Sequence, residues 1–191
     1  MPSLLAACVV HQLRPDSGTE GATAIDKRAV DGPIRIGKFG LRADVQVSRK
    51  WHGGLDQAVY AYSQADADFW SAELGRELHP GWFGENLRIE GLPTTGARVG
   101  DRWQVGEKVL LEVTSPRTPC GTFARWVGGP DARGWVKRFA AEERLGAYFR
   151  VIRTGVVTAG DPITLIPTDA DAPTLHDVYH REGVTAVRAA D

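Results

Sequence analysis

Glycine punctuates this chain more tellingly than any other residue. Its 22 glycines fall repeatedly between short stretches rich in Val, Ile and Leu, the pattern left by closely spaced strands joined by turns, where glycine takes the left-handed backbone without steric cost. Strands are expected over 4–13, 41–47, 58–62, 87–89, 102–105, 109–113, 148–154 and 163–166. Gly106 and Glu107, between two of them, predict a tight hairpin. Helices are fewer. Ser63 followed by Asp66 predicts the N-cap of a short helix that carries Phe69, Trp70 and Leu74 and ends at Gly75. A second helix is expected over 132–145, where Trp135, Val136, Phe139, Ala140 and Leu145 fall near one stripe. After the linker-like T-D-A-D-A-P, Thr174 with Asp177 caps a third. Strands in the majority with two or three helices predict a mainly β domain over 1–168, a barrel because closure removes exposed edges, and a short helical tail over 169–191.

Charge narrows the choice of ligand. Across 191 residues, 23 basic and 24 acidic side chains are interspersed, for a net charge of −1, so the composition carries no footprint for a nucleic-acid backbone or an anionic membrane, and any anion site is local. The opening M-P-S-L-L-A-A-C-V-V-H has no basic start and reads as a first strand instead of an export signal. No apolar run approaches spanning length. With only Cys8 and Cys120, a disulfide scaffold is not indicated and a reducing cytoplasm is expected.

Three motifs can carry chemistry. In S-P-R-T-P-C, residues 115–120, two prolines stiffen the chain ahead of Cys120. The following G-T-F-A-R-W-V can open a helix, so the thiol stands near helix N–H groups and Arg117, surroundings that favour the thiolate; the other reading is an inert cysteine in a proline turn. In R-K-W-H-G-G, residues 49–54, two glycines can turn backbone N–H groups toward one point, with Arg49, Lys50 and His52 adding charge, or they can simply turn the chain between strands. In F-G-E-N-L, residues 83–87, Asn86 offers an amide to a heterocyclic ligand while Glu85 can brace a loop. His176 and His180 have the i, i+4 spacing of a metal pair, but no third ligand is evident and Asp177 replaces the glutamate of a zinc protease, so an ordinary surface helix is expected there. Phosphate-binding loop, dinucleotide and nucleophile-elbow fingerprints are absent.

Taken in order, A-T-A-I-D-K, W-H-G-G-L-D-Q-A-V-Y-A-Y, F-G-E-N-L, V-G-D-R-W and S-P-R-T-P-C resemble the MOSC family, named for the C-terminal part of molybdenum cofactor sulfurases, and in particular its small stand-alone bacterial branch. The resemblance runs from about Thr23 to Cys120 and continues more weakly through G-A-Y-F-R-V-I and A-G-D-P-I. It implies a β-barrel, a molybdenum cofactor of the molybdopterin type, and Cys120 as both metal ligand and catalytic group. By the same mapping Thr23, His52, Gly53, Gly54, Asn86, Arg117 and Thr118 line the cofactor pocket, with Arg49 and Lys50 nearby. Several relatives carry a lysine where this chain has Ala22, which passes the phosphate to Lys27 or another cation. The same resemblance implies that the tail from about Pro173 is a shortened version of the branch's helical addition.

Similar proteins reduce N-hydroxylated compounds such as hydroxylaminopurines. The resemblance therefore implies an oxidoreductase with a small N-hydroxylated substrate. Because the sequence has no flavin, haem or iron–sulfur signature, it also implies an external electron-donor protein. Two alternatives stay open: a carrier that holds the cofactor or a sulfur atom at Cys120 for delivery, and a barrel that has lost the cofactor.

Overall fold

Strands set the frame. A computed structural model describes residues 1–47, 53–129 and 132–183, the last two by backbone alone. An eight-stranded sheet contains β1 (Ser3–Val10), β4 (Lys27–Ala29), β7 (Val59–Ser63), β8 (Leu87–Glu90), β9 (Arg102–Val105), β10 (Val109–Pro116), β11 (Ala147–Arg153) and β13 (Ile163–Ile166), in the order β13-β9-β10-β11-β7-β8-β1-β4. A smaller sheet joins β12 (Gly155–Val157), β5 (Ile34–Gly37) and β6 (Gly40–Leu41), and β2 (Arg14–Pro15) pairs with β3 (Ala22–Thr23). All pairings are antiparallel except β7 with β8, and α1 (Gln64–Leu74) lies in the crossover that a parallel pair requires. Strand pairs alone do not close the large sheet into a ring. The segment leading into β13 nevertheless lies along the start of β1, through Leu4 N to Asp161 O at 2.9 Å, Gly160 N to Leu4 O at 2.8 Å and Ile163 N to Pro2 O at 2.9 Å.

The period of two in V-Y-A-Y decides what each face of the sheet meets. Val59 and Ala61 enter an aliphatic core with Leu4, Trp103, Val105, Leu111 and Phe149. Tyr60 and Tyr62 point to the opposite face, into an aromatic layer built with Trp70, Phe83, Phe123 and Phe139. The first three helices cover that second face. α1 begins at the Ser63 cap, whose hydroxyl accepts Asp66 N, and stops at Gly75 in the left-handed conformation, as the sequence predicts. α2 (Gly121–Gly128) follows Cys120 directly. α3 (Trp135–Glu142) starts later than expected because Gly134 takes φ +85° and cannot extend the helix. α4 (Leu175–Val178) opens with the Thr174–Asp177 capping box and runs into a π turn, Tyr179–Gly183. Leu175 is buried in the aliphatic core, worth about 1.5–3 kcal/mol, and Tyr179 in the aromatic layer. The tail is therefore packed down at two points.

Two expectations need correction. Residues 41–47 are strand only at Leu41: Ala43 turns to φ +70°, and the Asp44 carboxylate is drawn inward to accept Val10 N at 2.9 Å and to pair with Lys27. The expected strand over 4–13 ends at Val10. The hairpin at Gly106 is present, with Val105 opposite Val109 and Gly106 at φ +58°. No helix among the described residues is long and apolar enough to cross a membrane.

Candidate functional site

The S-P-R-T-P-C segment is held at both ends by regular structure. β10 is anchored through Val109, Leu111 and Val113 in the aliphatic core and ends at Pro116; α2 is anchored through Phe123 in the aromatic layer. Cys120 lies between them as the N-cap residue of α2, half-buried, with an extended backbone and no side-chain capping bond. It faces a cavity of about 680 Å³, within the usual range for ligand sites.

Of the residues expected from sequence, Thr23, Lys27, Asn86, Arg117, Thr118 and Cys120 all line this cavity. Gly53 and Gly54 are not among its lining residues; Gly53 N donates to the side chain of Gln57, which is. Arg49, Lys50 and His52 lie outside the described residues. Two of the gathered side chains are already committed to protein partners. Asn86 Nδ2 donates to Asp44 Oδ2 at 2.7 Å and Cys8 O at 3.3 Å, and its Oδ1 accepts Tyr60 N at 3.2 Å. Lys27 is ion-paired with the same Asp44. Asp44 thus ties Lys27, Asn86 and β1 together behind the cavity wall.

Arg117 is different. It is 6% exposed, donates from Nη1 to Phe83 O at 3.0 Å, and stacks over Tyr60 and Phe123 with its guanidinium carbon 5.2 and 4.7 Å from the ring centroids. Among the described residues it pairs with no carboxylate. Burial opposes its charge, but the acidic groups of Tyr60, Cys120 and Tyr148 around it outweigh burial and hold it above its ordinary value. Tyr60 is itself raised, chiefly by burial, and burial pushes Tyr148 up to about 12, so neither phenol ionises near neutrality to balance the guanidinium.

The carbonyl that holds Arg117 belongs to a braced loop. Glu85 Oε1 accepts Gly81 N at 2.7 Å, its Oε2 accepts Phe83 N at 2.9 Å, and Arg88 pairs with Oε1 at 2.6 Å, both side chains being 0% exposed. The bracing expected of Glu85 is therefore present. Cys8, the other cysteine, is buried in β1, and burial, with the charge of Glu85 adding to it, raises its pKa so that it stays protonated.

Sequence reasoning missed the far wall. Arg125, one turn into α2, grips Asp16 through Nε at 2.6 Å and Nη2 at 2.7 Å, and Thr122 Oγ1 donates to the same carboxylate at 3.1 Å. This fixes the 16–22 loop over the cavity. Arg125 was legible as the next helical turn after Cys120; Asp16, 109 residues away, was not. The alternation in Y-A-Y and A-Y-F could have pointed Tyr60 and Tyr148 to one face. Among the described residues, the assembled site offers one soft sulfur donor, a buried cation without a carboxylate partner and aromatic walls, a combination suited to an anionic, ring-bearing ligand with a soft metal.

The chain is similar to several known proteins. The MOSC domain profile matches residues 48–164, more than half of the chain. A protein named "Reductase" from Gibberella moniliformis is 34% identical over 152 residues, covering 78% of this chain but only 26% of its own length. YflK of Bacillus subtilis is 32% identical over 149 residues, 78% of this chain and 66% of that protein. YiiM of Escherichia coli is 30% identical over 175 residues, 83% and 76% respectively. Among solved structures, YiiM from Geobacillus stearothermophilus superposes with a TM-score of 0.74 at 26% identity, over 99% of this chain and 90% of that one.

Proposed function

The chain belongs to the MOSC domain family, and from that premise we propose that it is a reductase of N-hydroxylated compounds, holding a molybdenum cofactor of the molybdopterin type in the cavity beside Cys120. The observation that carries this reading is Arg117: a buried guanidinium without a carboxylate among the described residues, on the wall of the cavity that Cys120 faces. Buried charges are costly unless paired, so a cation in this position favours an anionic occupant. Lys27 and Arg125 have their charges met by Asp44 and Asp16.

The residues present fit such a group. Arg117 and Thr118 would bind its anionic portion, Phe83, Tyr60 and Tyr148 would flank its rings, and Cys120 would supply a soft donor to the metal. On the resemblance alone, Arg49, Lys50 and His52 join this set. When bound, the cofactor supplies two-electron redox chemistry, fed by an external electron-donor protein. The overall reaction cleaves the substrate's N–O bond, consumes two electrons and two protons, and releases the amine and water. Tyr148, protonated up to about pH 12, keeps an O–H at the cavity to bond the substrate's hydroxyl oxygen. Arg117 holds its charge throughout and orients anionic groups against the thiol. The same reading assigns the protein to the cytoplasm and treats the large sheet as a MOSC-type barrel, supported by the bonds between 160–163 and 2–4.

The test is elemental analysis of protein made in a host that synthesises the cofactor, beside its Cys120→Ala form, with turnover of a hydroxylaminopurine under a chemical reductant. Molybdenum and turnover in the parent, both lost in the variant, are expected. Equal molybdenum in both forms would remove Cys120 from the site. Loaded protein that passes cofactor to an apo-enzyme without turnover would identify a carrier and sink the reductase assignment.

A further inference from the structure

Away from the cavity, the end of α3 meets the tail. α3 ends at Glu142, and Glu143 takes φ +53°, a left-handed conformation that costs a non-glycine residue about 1 kcal/mol or more. Its carboxylate contacts both tail histidines: Oε1 lies 3.0 Å from His180 Nε2, and Oε2 contacts His176 Nε2. The two imidazole rings stand 4.6 Å apart between centroids, tilted at 71°. One ligand atom from each of the three residues falls within 4.8 Å of the other two.

Both histidines are held in place by the backbone beneath them. The Thr174–Asp177 capping box fixes the first turn of α4, and Leu175 and Tyr179, each the chain neighbour of a histidine on its N-terminal side, are buried. The third ligand that the His176/His180 spacing lacks in sequence is thus supplied by a residue 33 positions before His176.

We propose that Glu143, His176 and His180 form a binding site for a divalent transition-metal ion of the zinc class, separate from the Cys120 cavity. Two imidazoles and a carboxylate suit zinc and its neighbours better than magnesium or calcium, which prefer all-oxygen sites. Metal–ligand bonds of about 2.0–2.2 Å put neighbouring ligand atoms about 3–4 Å apart, a spacing the cluster can reach by side-chain adjustment alone. Three protein ligands leave a fourth position for water. None of the three residues lines the cavity. An ion here links the end of α3 to the tail, adding to the burial of Leu175 and Tyr179, the backbone bonds from Val99 N to Pro173 O and Leu175 N to Ala97 O, and the Arg98 side chain on Ala172 O.

The experiment is calorimetric titration of the chelator-stripped full chain with Zn²⁺, in the parent, Cys120→Ala, His176→Ala and Glu143→Gln forms, with Co²⁺ as a spectroscopic probe. Because His176 and His180 are 46% and 52% exposed, replacing them tests ligation and not folding. One Zn²⁺ site should persist in Cys120→Ala and weaken at least tenfold in His176→Ala and in Glu143→Gln. Bound Co²⁺ in Cys120→Ala should give visible bands without thiolate charge-transfer absorption. A site that disappears with Cys120→Ala, or keeps its affinity in His176→Ala, overturns the proposal. Neither result bears on molybdenum binding at Cys120.

Discussion

Replacing Glu85 by alanine tests whether the loop beneath Arg117 is held by a buried ion pair. The substitution leaves Gly81 N and Phe83 N without their acceptor and removes the carboxylate that pairs with Arg88, whose other partners among the described residues are neutral: Gln64 Oε1 at 3.0 Å and His79 O at 3.2 Å. With both side chains at 0% exposure, water cannot replace the lost partner, and breaking one side of such a pair costs about 3–5 kcal/mol. An unfolding entropy of about 2.1 cal/mol/K per residue gives about 0.4 kcal/mol/K for a chain of this length, so the midpoint should fall by roughly 7–12 °C. Thermal unfolding followed by circular dichroism measures it. The double variant Glu85→Ala/Arg88→Met, which removes the orphaned charge, should recover part of the loss. A drop of less than about 2 °C in the single variant would mean that the pair does not brace the loop, and the account of how Arg117 is positioned would go with it.

Arg117→Met should leave the melting temperature unchanged or raise it, because an uncompensated buried cation is replaced by an apolar chain of similar length. The same change should lower molybdenum content at least tenfold; a variant that melts far lower yet keeps its metal would contradict the proposed role. Asp16 gives a pH signature. Hydrogen bonding from Arg125 is the main cause that holds its carboxyl below its ordinary value of 3.8, with burial opposing. A depressed folded value means that the associated stability is complete above the unfolded value and lost as pH falls through the folded one. The gap in melting temperature between the parent and Asp16→Asn should therefore be widest at neutral pH and close in strong acid; a gap independent of pH would show that the carboxylate charge is not what secures the 16–22 loop.

The features legible in the sequence are those fixed by local physics. Prolines on either side of Thr118 and a helix start after it are enough to place Cys120 at a strand-to-helix junction, and the alternation in V-Y-A-Y is enough to send its tyrosines away from the aliphatic core. Segment 41–47 defeats the same reasoning: it has the side chains of a strand, but Asp44 gains more by reaching inward to Lys27, Asn86 and the backbone of β1 than the segment gains by pairing. No window of sequence contains those partners. Glu143 and the two histidines are separated in the same way, as are Asp16 and Arg125. The charge of the cavity shows the limit most clearly. A composition of 23 cations against 24 anions describes a chain with nothing left over, yet function depends on which charges fold against each other. Of the cations on the cavity wall among the described residues, Lys27 is met by Asp44 and Arg125 by Asp16. Arg117 is stacked between aromatic rings where none of the described carboxylates pairs with it, so a chain with nearly balanced charge carries a local positive group beside its half-buried thiol.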